Sequence, residues 1–157
     1  MKTLFCDASF DPHYTKTETG DAVRGKIGIS DGENINIVEK VAVGKVPDLK
    51  QYINVFELIA IARSIEIAAE KMETRFPGWT DVLALEVMSD SSTAVYWSRN
   101  GRTNPKVFTQ AHGNALAYLR DVKDRIKIGV IFTHVPREKN PAGFLLAKEL
   151  RRESPHA

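Results

Sequence analysis

Residues 82–89, Val-Leu-Ala-Leu-Glu-Val-Met-Ser, are almost entirely apolar, and this run limits the possible folds more than any other segment. A short, nearly continuous apolar run marks a strand covered on both faces. Covering it requires helices, and the flanking sequence supplies them. Over residues 54–75, Val55, Leu58, Ile59, Ala62, Ile65, Ala69 and Met72 recur at three- and four-residue spacing until Pro77-Gly78 ends the pattern. A short helix is predicted over residues 91–98, ending near Asn100-Gly101, and a long one over residues 107–126 with Leu116, Leu119, Val122 and Ile126 inward. A terminal helix is predicted over residues 141–152, with Pro141 suited to its first turn.

Three extended runs precede the first helix. Residues 2–9 read as a strand, residues 11–21 as an exposed polar loop, and residues 23–30 and 34–43 as β-branched strands. Asp31-Gly32 between the last two is a hairpin turn signal. Residues 127–134 give a fifth strand, and the tail at 154–157 is expected to fray. A hairpin-first, crossover-later order implies an α/β fold: a mixed five-stranded sheet, its first three strands antiparallel and the rest parallel, flanked by helices.

At 157 residues the chain suits a single domain spanning residues 1–157. With 43% hydrophobic and 27% charged residues it reads as globular rather than disordered. A net charge of +2 is too mild to signal a nucleic-acid partner. One cysteine, Cys6, excludes an internal disulfide, and no Cys/His spacing suggests zinc. Cys6 reads more simply as a core thiol than as a reactive one. No secretory leader and no apolar stretch of about 18 residues is visible, so a cytoplasmic protein without membrane contact is expected.

The chemistry-bearing candidates are three acids at element ends. Asp7 closes the first strand, Asp90 follows the apolar strand, and Glu57 lies at the start of the first long helix. Each adjoins an apolar stretch in which an unpaired carboxylate is costly to bury. If the three converge, a hard divalent cation is the natural reason, because such cations prefer carboxylate oxygens. For Glu57 a purely local alternative stands beside this one: Asn54 as N-cap and Glu57 three residues on make a capping box.

Four local patterns, in order along the chain, resemble the type 1 ribonuclease H family. Phe5-Cys6-Asp7-Ala8-Ser9 is similar to its opening strand, which ends in Asp, a small residue and Ser. Asn54-Val55-Phe56-Glu57-Leu58, followed by Ala60 and Ala62, is similar to its Asn-x-x-Glu helix entry. Met88-Ser89-Asp90-Ser91 resembles its strand-ending (S/T)-D-S. The segment from His134 through Val135-Pro136-Arg137-Glu138-Lys139-Asn140-Pro141 to Ala142 resembles the variant tail H-V-P-R-E-x-N-x-x-A-D-x-L-A. The resemblance runs from Asp7 to about Leu150 and implies a ribonuclease H-like fold.

The chain departs from the family in three places. With one residue fewer than the tail between Asn140 and Ala142, this chain has Ala142-Gly143 where the tail carries Ala-Asp, so the fourth carboxylate is missing at Gly143. Glycine in a first helical turn costs roughly 1 kcal/mol relative to alanine, so helix propensity does not explain the change. Glu138 and Glu149 are possible partial substitutes, but Glu138 precedes the helix and Glu149 lies almost two turns beyond Gly143. The loop between Thr133 and Asn140 is short and lacks the histidine that cellular members carry there; His134 reads as a strand-end residue, and His13 and His112 as surface residues. A basic handle is absent as well: between Trp97 and Phe108 only Arg99, Arg102 and Lys106 are basic.

The resemblance implies a metal-dependent endonuclease that hydrolyses the RNA strand of RNA–DNA hybrids to leave 5′-phosphate and 3′-hydroxyl ends. It implies Mg²⁺, with Mn²⁺ as the alternative, held by Asp7, Glu57 and Asp90 as catalytic and metal-binding residues. Asp7 would bridge two ions about 3.5–4 Å apart, Glu57 and Asp90 would hold one each, and Gly143 would leave one site weakened. Ser9, Asn54, Ser91, Arg137, Lys139 and Asn140 are the candidate nucleic-acid contacts. Ser91 equally suits an N-cap, and Arg137 and Lys139 equally suit a solvated loop. The chain is expected to act as a monomer. The alternative reading is a weakened or inactive nucleic-acid-binding member, and a purely structural module is a third.

Overall fold

The computed structural model describes residues 1–10, 22–44, 49–103 and 108–153. Its elements follow the expected order: β1 (Lys2–Phe10), β2 (Ala22–Ser30), β3 (Asn36–Gly44), α1 (Leu49–Glu73), β4 (Ala84–Ser89), α2 (Ser92–Asn100), α3 (Gln110–Ile126), β5 (Gly129–His134), a 3₁₀ turn at Arg137–Lys139, and α4 (Pro141–Glu153). The strands form one sheet in the order β3-β2-β1-β4-β5. The β1–β2 and β2–β3 pairs are antiparallel, and β1–β4 and β4–β5 are parallel. This is the mixed sheet that the strand and helix patterns imply.

The β2–β3 turn forms for local reasons. Asp31 Oδ1 accepts the N–H groups of Glu33 (2.8 Å) and Ile35 (2.9 Å), and Gly32 takes φ +84°, which a side chain rarely tolerates. Register then follows, with Ile29 opposite Ile37 and Val23 opposite Val43.

Helices cover both faces of the sheet. Leu4, Cys6 and Ala8 of β1 share a face with Ile27 and Ile29 of β2, and the buried α1 residues Val55, Phe56, Leu58, Ile61, Ala62 and Ile65 belong to the same core. Asp7 pairs with Gly28 on the opposite face, where a Cβ on Gly28 would lie 2.9 Å from Leu146 and 3.0 Å from the Ala142 carbonyl of α4. Glycine there lets α4 lie directly on β2. On β4, Leu85 and Val87 are buried, while the other face is half-covered and carries Glu86, held by Thr133 (2.8 Å) and Thr3 (3.4 Å). Cys6 is fully buried, as a core thiol should be.

Several expected boundaries move. Helix α1 begins at Leu49, five residues before Asn54, so the N-cap and capping box assigned to Asn54 and Glu57 do not form. The added turn buries Tyr52 edge-on against Phe10 (5.9 Å), and Phe10 stacks on Phe56 at 6.4 Å, a tertiary gain that no local pattern announces. The strand expected from residue 82 starts at Ala84, and the one expected from residue 127 starts at Gly129, because Lys127 takes φ +57° to cap α3. Among the described residues a capping box forms at Thr109 and His112 instead. His112, expected at the surface, is fully buried and lies edge-on to Trp97 at 5.5 Å. Among the described residues no helix is long and apolar enough to cross a membrane. The expected loop at 11–21, His13, the expected start of α3 at residue 107 and the tail at 154–157 lie outside the described residues.

Candidate metal centre

Strands β1 and β4 run parallel, with Cys6 beside Ser89, so the residues that follow, Asp7 and Asp90, lie side by side where β4 ends; Asp7 does not close β1, which continues to Phe10 against β2. Glu57 reaches this point from α1. Its Oε1 accepts the Ala8 N–H at 3.2 Å, which ties the carboxylate to the strand that carries Asp7. One carboxylate oxygen from each of Asp7, Glu57 and Asp90 lies within 4.8 Å of the others. Three residues distant in sequence therefore meet at one point.

The electrostatics of the trio are unfavourable without a cation. Asp7 and Glu57 are buried and Asp90 is half-buried. Burial first, then the Asp7 charge, holds the Glu57 carboxyl well above its ordinary range. The same two causes push Asp90 up to about 6, although Arg137 and the Asn140 amide act in the opposite direction. Oε2 of Glu57 is buried and has no hydrogen-bond partner. A buried carboxylate oxygen left unpaired costs about 1–3 kcal/mol or more. An all-oxygen donor set with one oxygen unclaimed fits a hard divalent cation.

The trio sits in an open cleft of about 390 Å³, whose walls also include Asn54, Ser91, Ser92 and Arg137. Ser91 caps α2, its Oγ accepting the Ala94 N–H at 3.1 Å, while still lining the cleft. Lys139 is exposed on the 3₁₀ turn beside Arg137, and neither it nor Ser9 lines the cleft. His134 is exposed at the end of β5.

Asn140 requires a correction. It was a candidate nucleic-acid contact, but it is completely buried, so a duplex cannot reach it. Its side chain bonds the Cys6 carbonyl at 2.9 Å and the Ala142 N–H at 3.1 Å. The Asn-Pro pair at the head of α4 was a legible signal for capping, since asparagine favours the N-cap and proline the first helical position.

Gly143 faces the trio. A Cβ built there would stand 3.0 Å from Asp7 Oδ2. Ala142 and Leu146 turn into the core on either side of it in the helix. A side chain at position 143 would point at Asp7, and this chain has none. Neither Glu138 nor Glu149 joins the acidic group, which among the described residues comprises Asp7, Glu57 and Asp90 alone.

No family profile and no curated protein matches the sequence. Solved structures do match over nearly the whole chain. RNase H1 from the halophilic archaeon Halobacterium salinarum NRC-1 is 16% identical with a TM-score of 0.60, covering 96% of this chain and 97% of that one. LC11-RNase H1, isolated from compost by a metagenomic approach and solved in complex with an RNA/DNA hybrid, is 21% identical with a TM-score of 0.56, covering 94% and 98%. The N-terminal RNase H domain of rv2228c from Mycobacterium tuberculosis is 14% identical with a TM-score of 0.52, covering 89% and 92%. The chain has the ribonuclease H1 fold.

Proposed function

We propose that the chain is a divalent-metal-dependent endonuclease that hydrolyses the RNA strand of RNA–DNA hybrids, leaving 5′-phosphate and 3′-hydroxyl ends. The observation that carries the proposal is the meeting of Asp7, Glu57 and Asp90 at one point, with Glu57 Oε2 buried and unclaimed. The fold adds support, as does the hybrid bound to LC11-RNase H1.

Asp7, Glu57 and Asp90 would hold Mg²⁺ or Mn²⁺, which when bound supplies charge neutralisation at the phosphate and a lowered pKa for the attacking water. The remaining work falls to this chain's own groups. Asn54 and Ser91 line the cleft where the RNA backbone would pass, with Ser9 two residues beyond Asp7 on the same strand. Arg137 sets a fixed positive charge on the wall beside Asp90, suited to a phosphate oxygen, and Lys139 offers a second cation two residues on. Hybrids are distinguished by 2′-hydroxyls on one strand only, read across the wide minor groove.

A second reading, a hybrid-binding protein with weakened or absent catalysis, is favoured by one observation: the position facing Asp7 on α4 is glycine. One experiment separates the two. A labelled RNA–DNA hybrid is incubated with Mg²⁺ or Mn²⁺ beside duplex RNA, duplex DNA and single strands, with Asp7→Asn as the control. The nuclease reading expects cleavage of the hybrid's RNA strand alone, lost in Asp7→Asn. Retention of hybrid without cleavage under either metal supports the second reading, and wild-type rates in Asp7→Asn refute the ligand assignment.

A further inference from the structure

Behind the acidic trio, the Asn140 amide is completely buried and hydrogen-bonds two elements, β1 and α4. Oδ1 accepts the Ala142 N–H at 3.1 Å and so caps α4. Nδ2 donates to the Cys6 carbonyl at 2.9 Å, across a sequence separation of 134 residues. Asp90 lies beside this amide, which favours its charged form against the repulsion from Asp7. Each neighbour of the amide adjoins the cleft: Cys6 precedes Asp7 on β1, Ala142 precedes Gly143 on α4, and Asp90 is itself one of the three acids.

The chemistry of these bonds is directional. Asp90 is only half-buried, lies just beyond the end of β4, and is repelled by Asp7. A carboxylate so placed turns toward solvent unless a donor holds it. An amide whose carbonyl oxygen is already committed to a helix cap presents its N–H groups in one fixed direction. We infer that Asn140 is a positioning residue of the metal centre, holding Asp90 and the end of β1 in the mutual orientation that lets the three carboxylates share one cation. The inference rests on the metal-centre reading proposed above, but not on the identity of the nucleic-acid substrate.

The test is a Mn²⁺ titration of the full chain without nucleic acid, followed by calorimetry or by the electron paramagnetic resonance of free Mn²⁺. Asn140→Ala removes the helix cap together with the amide and so tests folding as much as position. Asn140→Ser keeps an oxygen able to cap α4 and removes the amide donor. Leu146→Ala is the structural control, because it loosens α4 through its buried face without touching Asp90. Asn140→Ser is expected to weaken Mn²⁺ binding roughly 10–100-fold, the usual effect of losing a partner of a metal-binding side chain, while Leu146→Ala lowers the Tm and leaves affinity within about twofold. In a cleavage assay the Asn140→Ser deficit should lie in kcat at low Mn²⁺ and recover at high Mn²⁺, with the KM for hybrid unchanged. Unchanged affinity in Asn140→Ser, or an equal loss in Leu146→Ala, overturns the inference. A wild-type chain that takes up no Mn²⁺ overturns it together with the metal centre. Tight wild-type binding that Asn140→Ser weakens, without hybrid cleavage, upholds it and refutes the nuclease reading.

Discussion

Glu57→Gln tests the electrostatic account with a nearly isosteric change. In the metal-free chain Glu57 is 4% exposed, one of its oxygens is bonded to Ala8, and the other has no partner. At the 4.8 Å limit of the cluster and an effective dielectric of about 20, each neighbouring carboxylate repels it by roughly 3 kcal/mol. The full repulsion is never felt, because a carboxyl can escape it by taking up a proton. That escape caps the penalty at about pH 7 near 3.4 kcal/mol: two and a half pH units above the ordinary Glu value of 4.5, at 1.36 kcal/mol per unit. Gln removes the charge, keeps an oxygen for the Ala8 N–H, and places an N–H donor where Oε2 was unpaired. The variant should therefore be more stable than wild type by about 1–3 kcal/mol at about pH 7 in EDTA, a Tm rise of about 2–12 °C for a chain of this size. The gain should shrink as pH falls toward the ordinary Glu value of 4.5, because the proton that relieves wild-type Glu57 then costs less to hold, and Mg²⁺ should stabilise wild type but not Glu57→Gln. Heating scans at the two pH values with and without Mg²⁺ read all three effects. A destabilised variant at pH 7 without metal, or a gain independent of pH, refutes the reasoning.

The same linkage predicts the pH response of the unmodified protein. Glu57 and Asp90 bind protons more tightly folded than unfolded, so metal-free stability is fully present below about pH 4, falls as pH rises through the Asp90 value of about 6, and is restored by Mg²⁺. For Asp90 the effect amounts to at most about 3 kcal/mol, reduced to about 1–2 by solvent screening at a half-exposed side chain; chemical denaturation between pH 4 and 7 in EDTA measures it, and a flat profile contradicts it. Gly143→Asp adds a fourth carboxylate whose Cβ stands 3.0 Å from Asp7 Oδ2, so Asp7 must give by a few tenths of an ångström. The variant should lose metal-free stability and gain both Mg²⁺ affinity and hybrid cleavage; an unchanged response to Mg²⁺ shows that position 143 does not serve the metal. Gly25→Ala would set a Cβ 2.5 Å from the Ser9 carbonyl oxygen and 3.1 Å from the Phe56 ring, forcing β1 and β2 apart, and should cost about 2–3 kcal/mol in urea unfolding. A loss within experimental error contradicts that packing.

What could be read from the sequence was whatever local chemistry decides. The Asp31-Gly32 turn, the apolar β4 run and the Pro77-Gly78 stop of α1 all act within a few residues, and the order of elements along the chain followed from them. The acids were legible because each adjoins an apolar stretch, although only Asp90 stands at the end of its element: β1 runs three residues past Asp7 and α1 starts eight residues before Glu57. Long-range effects were not legible. Helix α1 gains its first turn from Tyr52 meeting Phe10, and His112 is buried by Trp97, a partner contributed by a different helix. Asn140 looked like a surface polar residue because its partner Cys6 lies 134 positions away. A buried polar group is specified by its partners, and those are known only once the chain is folded.

The central claim is that Asp7, Glu57 and Asp90 hold a divalent cation, and a crystal grown or soaked in Mn²⁺ tests it at the atoms concerned. Anomalous density should lie among the three carboxylates, with Glu57 Oε2 among its ligands. Saturating Mn²⁺ that leaves this point empty, with Oε2 still unpaired, contradicts the account.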